Sequence, residues 1–103
     1  MKLNKFGWTS LHEASYFGKL EIVKYLIEEE GANPNDVNQN GWHSLIFCIM
    51  GGQGTNLLRY LLNVRSIDIT LLDNTGRSAL EYAQEMFPGG IEQELLYETV
   101  LSY

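Results

Sequence analysis

A chain that repeats itself at a fixed interval builds one supersecondary unit several times over, and no single unit can bury its apolar side alone. Here Gly7-Trp8-Thr9-Ser10-Leu11-His12-Glu13-Ala14 recurs as Gly41-Trp42-His43-Ser44-Leu45-Ile46-Phe47-Cys48 and again as Gly76-Arg77-Ser78-Ala79-Leu80-Glu81-Tyr82-Ala83, at offsets of 34 and 35 residues. A second block, Ile22-Val23-Lys24-Tyr25-Leu26-Ile27, returns 35 residues later as Leu57-Leu58-Arg59-Tyr60-Leu61-Leu62, with apolar, basic and aromatic positions kept. Two blocks that shift together define three units in a chain of 103 residues, which is room for one domain.

Each unit reads as two short antiparallel helices. In the first, Thr9 is a candidate N-cap, and Leu11, Ala14 and Ser15 form a narrow stripe that Gly18 ends. A second helix from about Leu20 lines up Ile22, Val23, Leu26 and Ile27 on a wide apolar stripe and stops near Gly31, where a left-handed residue is expected. The segment from Gly31 to Gly41 is dense in Asn, Gly and Pro and reads as a loop or short hairpin. Ser78 with Glu81 makes a capping box in the third unit, whereas His43 stands where the other units carry Thr9 and Ser78 and is expected to cap poorly. The extra residue of unit two falls in Gly51-Gly52-Gln53-Gly54, expected to be the most mobile interior loop.

A period near 33 with a Gly-x-Thr-Pro-Leu-His-x-Ala start resembles the ankyrin repeat. Unit one departs from it only by Ser10 for Pro, and Gly18 to Ile27 is similar to the family's second helix; Gly31-Ala32-Asn33 resembles its terminator. Unit two keeps Gly41, Leu45, Cys48, the Leu57 to Leu62 block and Ile67-Asp68-Ile69-Thr70, and lacks the Thr, Pro and His. Unit three keeps Gly76, Ser78, Leu80 and Ala83 and diverges through Phe87-Pro88-Gly89-Gly90. The resemblance covers about residues 4 to 96 and implies an all-α, ankyrin-like solenoid of stacked antiparallel helix pairs joined by hairpin loops. The whole of 1–103 is then one domain, with repeat 1 at about 4–36, repeat 2 at about 37–71, and a divergent third repeat at about 72–103. Aligning Ile91, Leu95 and Leu96 with Ile22, Leu26 and Ile27 puts Glu92 in the place of Val23 and Glu94 in that of Tyr25, which reads as a C-terminal cap meeting water. Three repeats is about the minimum for such a stack, so marginal stability is expected, with a thermal transition not above about 65 °C.

Composition narrows the function classes. Thirteen Asp plus Glu against seven Lys plus Arg give a formal charge of -6, no footprint for nucleic acid or anionic lipid. Residues 73 to 103 hold six of the acids and one base, Arg77. The lone Cys48 cannot make an internal disulfide, there is no Asn-x-Ser/Thr sequon, and the longest apolar run, Leu45 to Met50, is far short of a membrane span. The expected location is intracellular, cytoplasmic or nuclear, with no membrane partner. Catalysis has little material: Cys48 sits at a small-residue packing position, the resemblance implies that His12 ties hairpin to cap, and no Cys/His spacing supplies zinc ligands. The Gly51 to Asn56 loop lacks the preceding strand and following Lys-Ser/Thr of a phosphate cradle, and Glu28-Glu29-Glu30 reads as solvated surface. No enzyme, cofactor, metal or small-molecule substrate is expected.

What the resemblance implies instead is a concave groove of hairpin tips and first helices that meets a partner protein. The matching positions are Lys5, Phe6, Trp8, Tyr16 and Phe17 in unit one, Gln39, Asn40, Trp42 and Met50 in unit two, and Asn74, Thr75, Arg77, Glu85 and Met86 in unit three. Trp8 and Trp42 are equivalent residues of adjacent units, and an exposed aromatic patch marks an interface; the competing reading is that both rings only stiffen the stack. An alternative function is a targeting or regulatory part of a larger protein, and apolar residues exposed on the outer face of repeat 1 are the expected sign of it.

Overall fold

The computed structural model describes residues 7–52 and 55–102, the side chains of Gln93 and Ser102 excepted. Lys5 and Phe6, and the tip of the Gly51 to Gly54 loop, therefore lie outside the described residues. Six helices follow one another: α1 (Ser10–Tyr16), α2 (Leu20–Glu28), α3 (Ser44–Gly51), α4 (Asn56–Leu62), α5 (Ala79–Met86) and α6 (Ile91–Ser102), with no strand among the described residues. They form three pairs, α1/α2, α3/α4 and α5/α6. First helices stack as α1 on α3 and α3 on α5, second helices as α2 on α4 and α4 on α6.

Local chemistry sets the helix ends. The Thr9 hydroxyl accepts from the His12 N–H at 3.1 Å while His12 Nδ1 accepts from the Thr9 N–H at 3.1 Å, a reciprocal cap that uses an imidazole in place of a carboxylate. Ser78 and Glu81 form the predicted capping box on α5. Gly18 and Gly31 adopt the left-handed conformation after α1 and α2, where Lys19 N–H reaches Ala14 C=O at 2.9 Å and Ala32 N–H reaches Leu26 C=O at 2.9 Å.

The core runs through the middle repeat, where Leu45, Ile46, Phe47, Leu58 and Leu61 have no solvent exposure. Helices α1 and α3 approach so closely that a Cβ on Gly51 would overlap the Tyr16 backbone, 2.7 Å from its carbonyl carbon. Cys48 is buried in this layer, and burial pushes its thiol up to about 12, so it packs as a small apolar group. Polar bridges stitch the loops of successive repeats: the Asn35 amide donates to Ser66 C=O at 2.7 Å and accepts from Asp68 N–H at 2.9 Å.

Two expectations are corrected. Ile22 is not part of a buried stripe: it is 51% exposed, whereas its equivalent Leu57 is 4% exposed, because Leu57 has repeat 1 on its outer side. His43 is not a failed cap. Its ring is wholly buried and Nδ1 accepts from the Leu45 N–H at 3.3 Å. The C-terminal cap is carried by α5 as well as by α6. Glu81 and Gln84 are exposed where the first two repeats bury His12 and Ile46, Ser15 and Ile49, while Glu92 is half-buried.

Candidate functional site

The loop between repeats is a tight turn built around one side chain. In repeat 2, Asn38 N–H donates to Trp42 C=O at 3.0 Å, Gly41 N–H donates to Asn38 C=O at 3.0 Å, and Asn38 Oδ1 accepts from the Asn40 and Trp42 N–H groups at 3.0 and 2.9 Å. Asp73 occupies the same place 35 residues on. It accepts from Thr75 N–H at 2.9 Å, Thr75 Oγ1 at 2.6 Å and Arg77 N–H at 3.0 Å, and the Tyr82 hydroxyl donates to its other oxygen. Burial would raise the Asp73 carboxyl, but the hydrogen bonds from Thr75, Tyr82 and the Arg77 backbone outweigh it and hold the group well below the usual carboxylate range.

Neighbouring turns grip each other. Asn74 N–H donates to Asn40 C=O at 3.0 Å, and its amide donates to Gln39 C=O at 2.7 Å. Gly41 makes this approach possible, with φ +79° and the Asn74 N at 2.8 Å from where a Cβ would stand. Gln39, Asn40 and Asn74 therefore sit together on exposed tips.

Behind the tips, two rows of side chains cross the three repeats in register: Trp8, Trp42 and Arg77 in one, Tyr16, Met50 and Glu85 in the other. In repeat 1 the rows meet as a ring pair, Trp8 and Tyr16 with centroids 5.4 Å apart. In repeat 3 they meet as the Arg77–Glu85 ion pair, with the guanidinium 4.8 Å from the Tyr82 ring centre. Trp8, Tyr16, Trp42 and Met50 are all half-buried. Met86 and Thr75 are exposed beside this surface.

Both tryptophans bear on residues that the sequence reading passed over. Phe47, fully buried, meets Trp8 edge-on at 4.7 Å and Trp42 edge-on at 5.5 Å and stacks on His12 at 4.7 Å. Tyr82 meets Trp42 at 5.9 Å, with the rings inclined at 66°. Each of these rings touches the tryptophan of the preceding repeat. The available signal was register: Phe47 and Tyr82 align with each other and with Glu13 in repeat 1. Phe17 lies apart from Trp42. Its ring contacts Tyr16 at 5.2 Å and, with Ala14 and Ile22, lines a depression at the outer end of repeat 1.

Two buried imidazoles sit beneath the turns. His12 accepts at Nδ1, so its proton is on Nε2, which lies 2.9 Å from Asp36 C=O and donates to it. His43 faces the Leu71 backbone, 35 residues after Asp36, without a well-formed bond at Nε2. Burial lowers the pKa of both, keeping them neutral. No group of three or more His, Cys, Asp or Glu among the described residues is arranged to hold a metal ion. No helix among them is long and apolar enough to cross a membrane.

A family profile described as ankyrin repeats in three copies matches residues 11–98. The chain is 28% identical over 76 residues to an ankyrin repeat-containing protein of Schizosaccharomyces pombe, covering 73% of this chain and 32% of that one. It is 33% identical over 79 residues to the human transient receptor potential cation channel subfamily A member 1, covering 77% of this chain and 7% of the channel. A solved complex of a predatory endopeptidase from Bdellovibrio bacteriovorus with an immunity protein contains a similar chain, at 26% identity and a TM-score of 0.73, covering 95% of this chain and 47% of that one. The chain thus spans about a third or less of the length of these two curated relatives.

Proposed function

Because the chain belongs to the ankyrin repeat family, whose repeats are protein–protein interaction modules and are generally not enzymes, we propose that it binds a partner protein through the surface where the turns and first helices meet. Trp8, Tyr16, Trp42 and Met50 supply the apolar contact, with Arg77 and the tips Gln39, Asn40 and Asn74 as rim hydrogen-bonding groups; Phe17 extends it at repeat 1. The observation that supports this most is the pair of rows in register. Three repeats present half-buried side chains on one continuous face, and the two indoles are held by Phe47 and Tyr82 so that little entropy is lost on docking. The stiffening role and the binding role are therefore not rivals, since the packing that stiffens the stack also fixes the rings that are presented.

The test compares surface variants that spare the core. Met50→Glu and Asn40→Arg change half-buried or exposed positions on the proposed face, and Tyr25→Ala changes an exposed position on α2. Proteins captured by the intact chain should be lost with the first two variants and kept with the third. For an isolated partner, Trp42→Ala should weaken binding by about 2 kcal/mol or more. A captured set unchanged by both Met50→Glu and Asn40→Arg would reject this face.

A further inference from the structure

Two helices of the stack start beside a buried imidazole, but in different ways. In α1 the Thr9 hydroxyl is the cap and His12 supports it, with Nδ1 accepting from Thr9 N–H and Nε2 donating to Asp36 C=O at 2.9 Å. In α3 the ring is itself the cap: His43 Nδ1 accepts from Leu45 N–H, and among the described residues no other side chain caps this helix. An imidazole that accepts at Nδ1 carries its proton on Nε2. That Nε2 is buried against the Leu71 backbone without a well-formed bond. Next to it, the Ser44 N–H and hydroxyl both reach Pro34 C=O, at 3.4 and 2.9 Å, and tie the start of α3 to the preceding loop.

A second proton enters the His43 ring at Nδ1, the atom that holds Leu45 N–H. Imidazolium donates from both nitrogens, so two donors then face each other where the cap bond stood. The surroundings offer no hydrogen-bonded counter-charge. From α1 come His12, a like charge once protonated, and an exposed Glu13; α3 has no charged residue, and Arg59 in α4 and Arg65 beyond it are exposed. Of the loop carboxylates, Asp36 is exposed, Asp68 gives Oδ1 to Thr70, and Asp73 is occupied by Thr75, Arg77 and Tyr82. In α5, Glu81 bonds to Ser78 and Glu85 pairs with Arg77. Asp68 and Asp73 favour the charged ring through space, but burial opposes it more strongly.

We propose that His43 is an acid-operated latch: a proton at Nδ1 frees the first turn of α3 and the turn at 38–42, and the imidazolium moves out to water while the flanking helices stay folded. That segment carries Gln39, Asn40 and Trp42, so the latch acts on the middle of the proposed partner face. The consequence for binding rests on that reading of the face, whereas the opening itself does not.

Amide hydrogen exchange followed by nuclear magnetic resonance between about pH 7.5 and about pH 5, corrected for the intrinsic pH dependence of exchange, tests it without a partner. Above about pH 6.5 the open fraction at Trp42 and Leu45 should stay constant. Below it, that fraction should rise by about tenfold per pH unit, because the freed ring takes up a proton near its ordinary 6.5 and the closed ring does not. At about pH 5.5 these two amides should be at least about tenfold less protected than those of α2 and α4, and their exchange should be insensitive to low urea, as a local opening requires. His43→Asn and His43→Thr each keep a capping oxygen that does not titrate in this range, and either should abolish the rise. An open fraction that stays flat down to about pH 5 overturns the proposal. So does exchange of Trp42 and Leu45 in step with α2 and α4 at every urea concentration, a rise that survives in either variant, or imidazole resonances that place the His43 proton on Nδ1 at about pH 7.5.

Discussion

Asp73 is the residue whose removal should be felt furthest from its own position. Its carboxylate accepts from Thr75 N–H, Thr75 Oγ1, Arg77 N–H and the Tyr82 hydroxyl, and the Tyr82 ring in turn packs edge-on against the Trp42 indole. Asp73→Ala leaves two turn N–H groups and one phenol without that acceptor. Hydrogen bonds to a charged group contribute roughly 1.5–3 kcal/mol each when buried, but Thr75 is exposed and can turn to water, so we expect a net cost of about 2–3 kcal/mol. On a domain of this size that is a drop of roughly 10–20 °C in Tm, or about 2 M in urea midpoint. The molecule contains its own control. Asn38 does the same work in repeat 2 with an amide oxygen, so Asp73→Asn should keep the two N–H bonds and cost only about 1 kcal/mol. Urea titrations followed by circular dichroism and by tryptophan fluorescence would measure both. Because the folded carboxyl is held below its ordinary value of 3.8, its contribution is present above that pH and disappears as the pH falls, so wild type and Asp73→Asn should converge in acid. The reasoning fails if Asp73→Asn is as damaging as Asp73→Ala, or if the alanine variant loses less than about 1 kcal/mol.

Two further outcomes follow from the packing. Burial lowers the pKa of His12 and His43 from 6.5, so the unfolded chain binds more protons below that pH; stability should decline from pH 7.5 to pH 5, and a urea midpoint constant over that interval would contradict the buried, neutral imidazoles. Gly51→Ala must move α3 away from the Tyr16 backbone and should cost about 2 kcal/mol or more, whereas Gly31→Ala, with nothing within 4 Å and only its positive φ to strain, should cost about 1 kcal/mol; equal midpoints for the two variants would remove the case for close α1–α3 contact.

The period, the helix pairs, the caps at Thr9 and Ser78 and the left-handed glycines were legible in the chain because each is set within a few residues, by hydrogen bonds whose donors and acceptors are close in sequence. The position of Cys48 and the role of His12 were legible through the resemblance, since register alone carries them. Other features belong to contacts between residues 30 or more positions apart. Whether Ile22 is covered depends on what lies across its face, not on the stripe it belongs to. His43 became a buried cap because the fold closes over its ring. Trp8 and Trp42 could be placed on the surface by their repeat positions, but that Phe47 and Tyr82 brace them from the following repeat emerged only when the layers were stacked. Local chemistry writes the units of a solenoid; which of their faces meet water is decided between units, where a one-dimensional pattern has no neighbour to read.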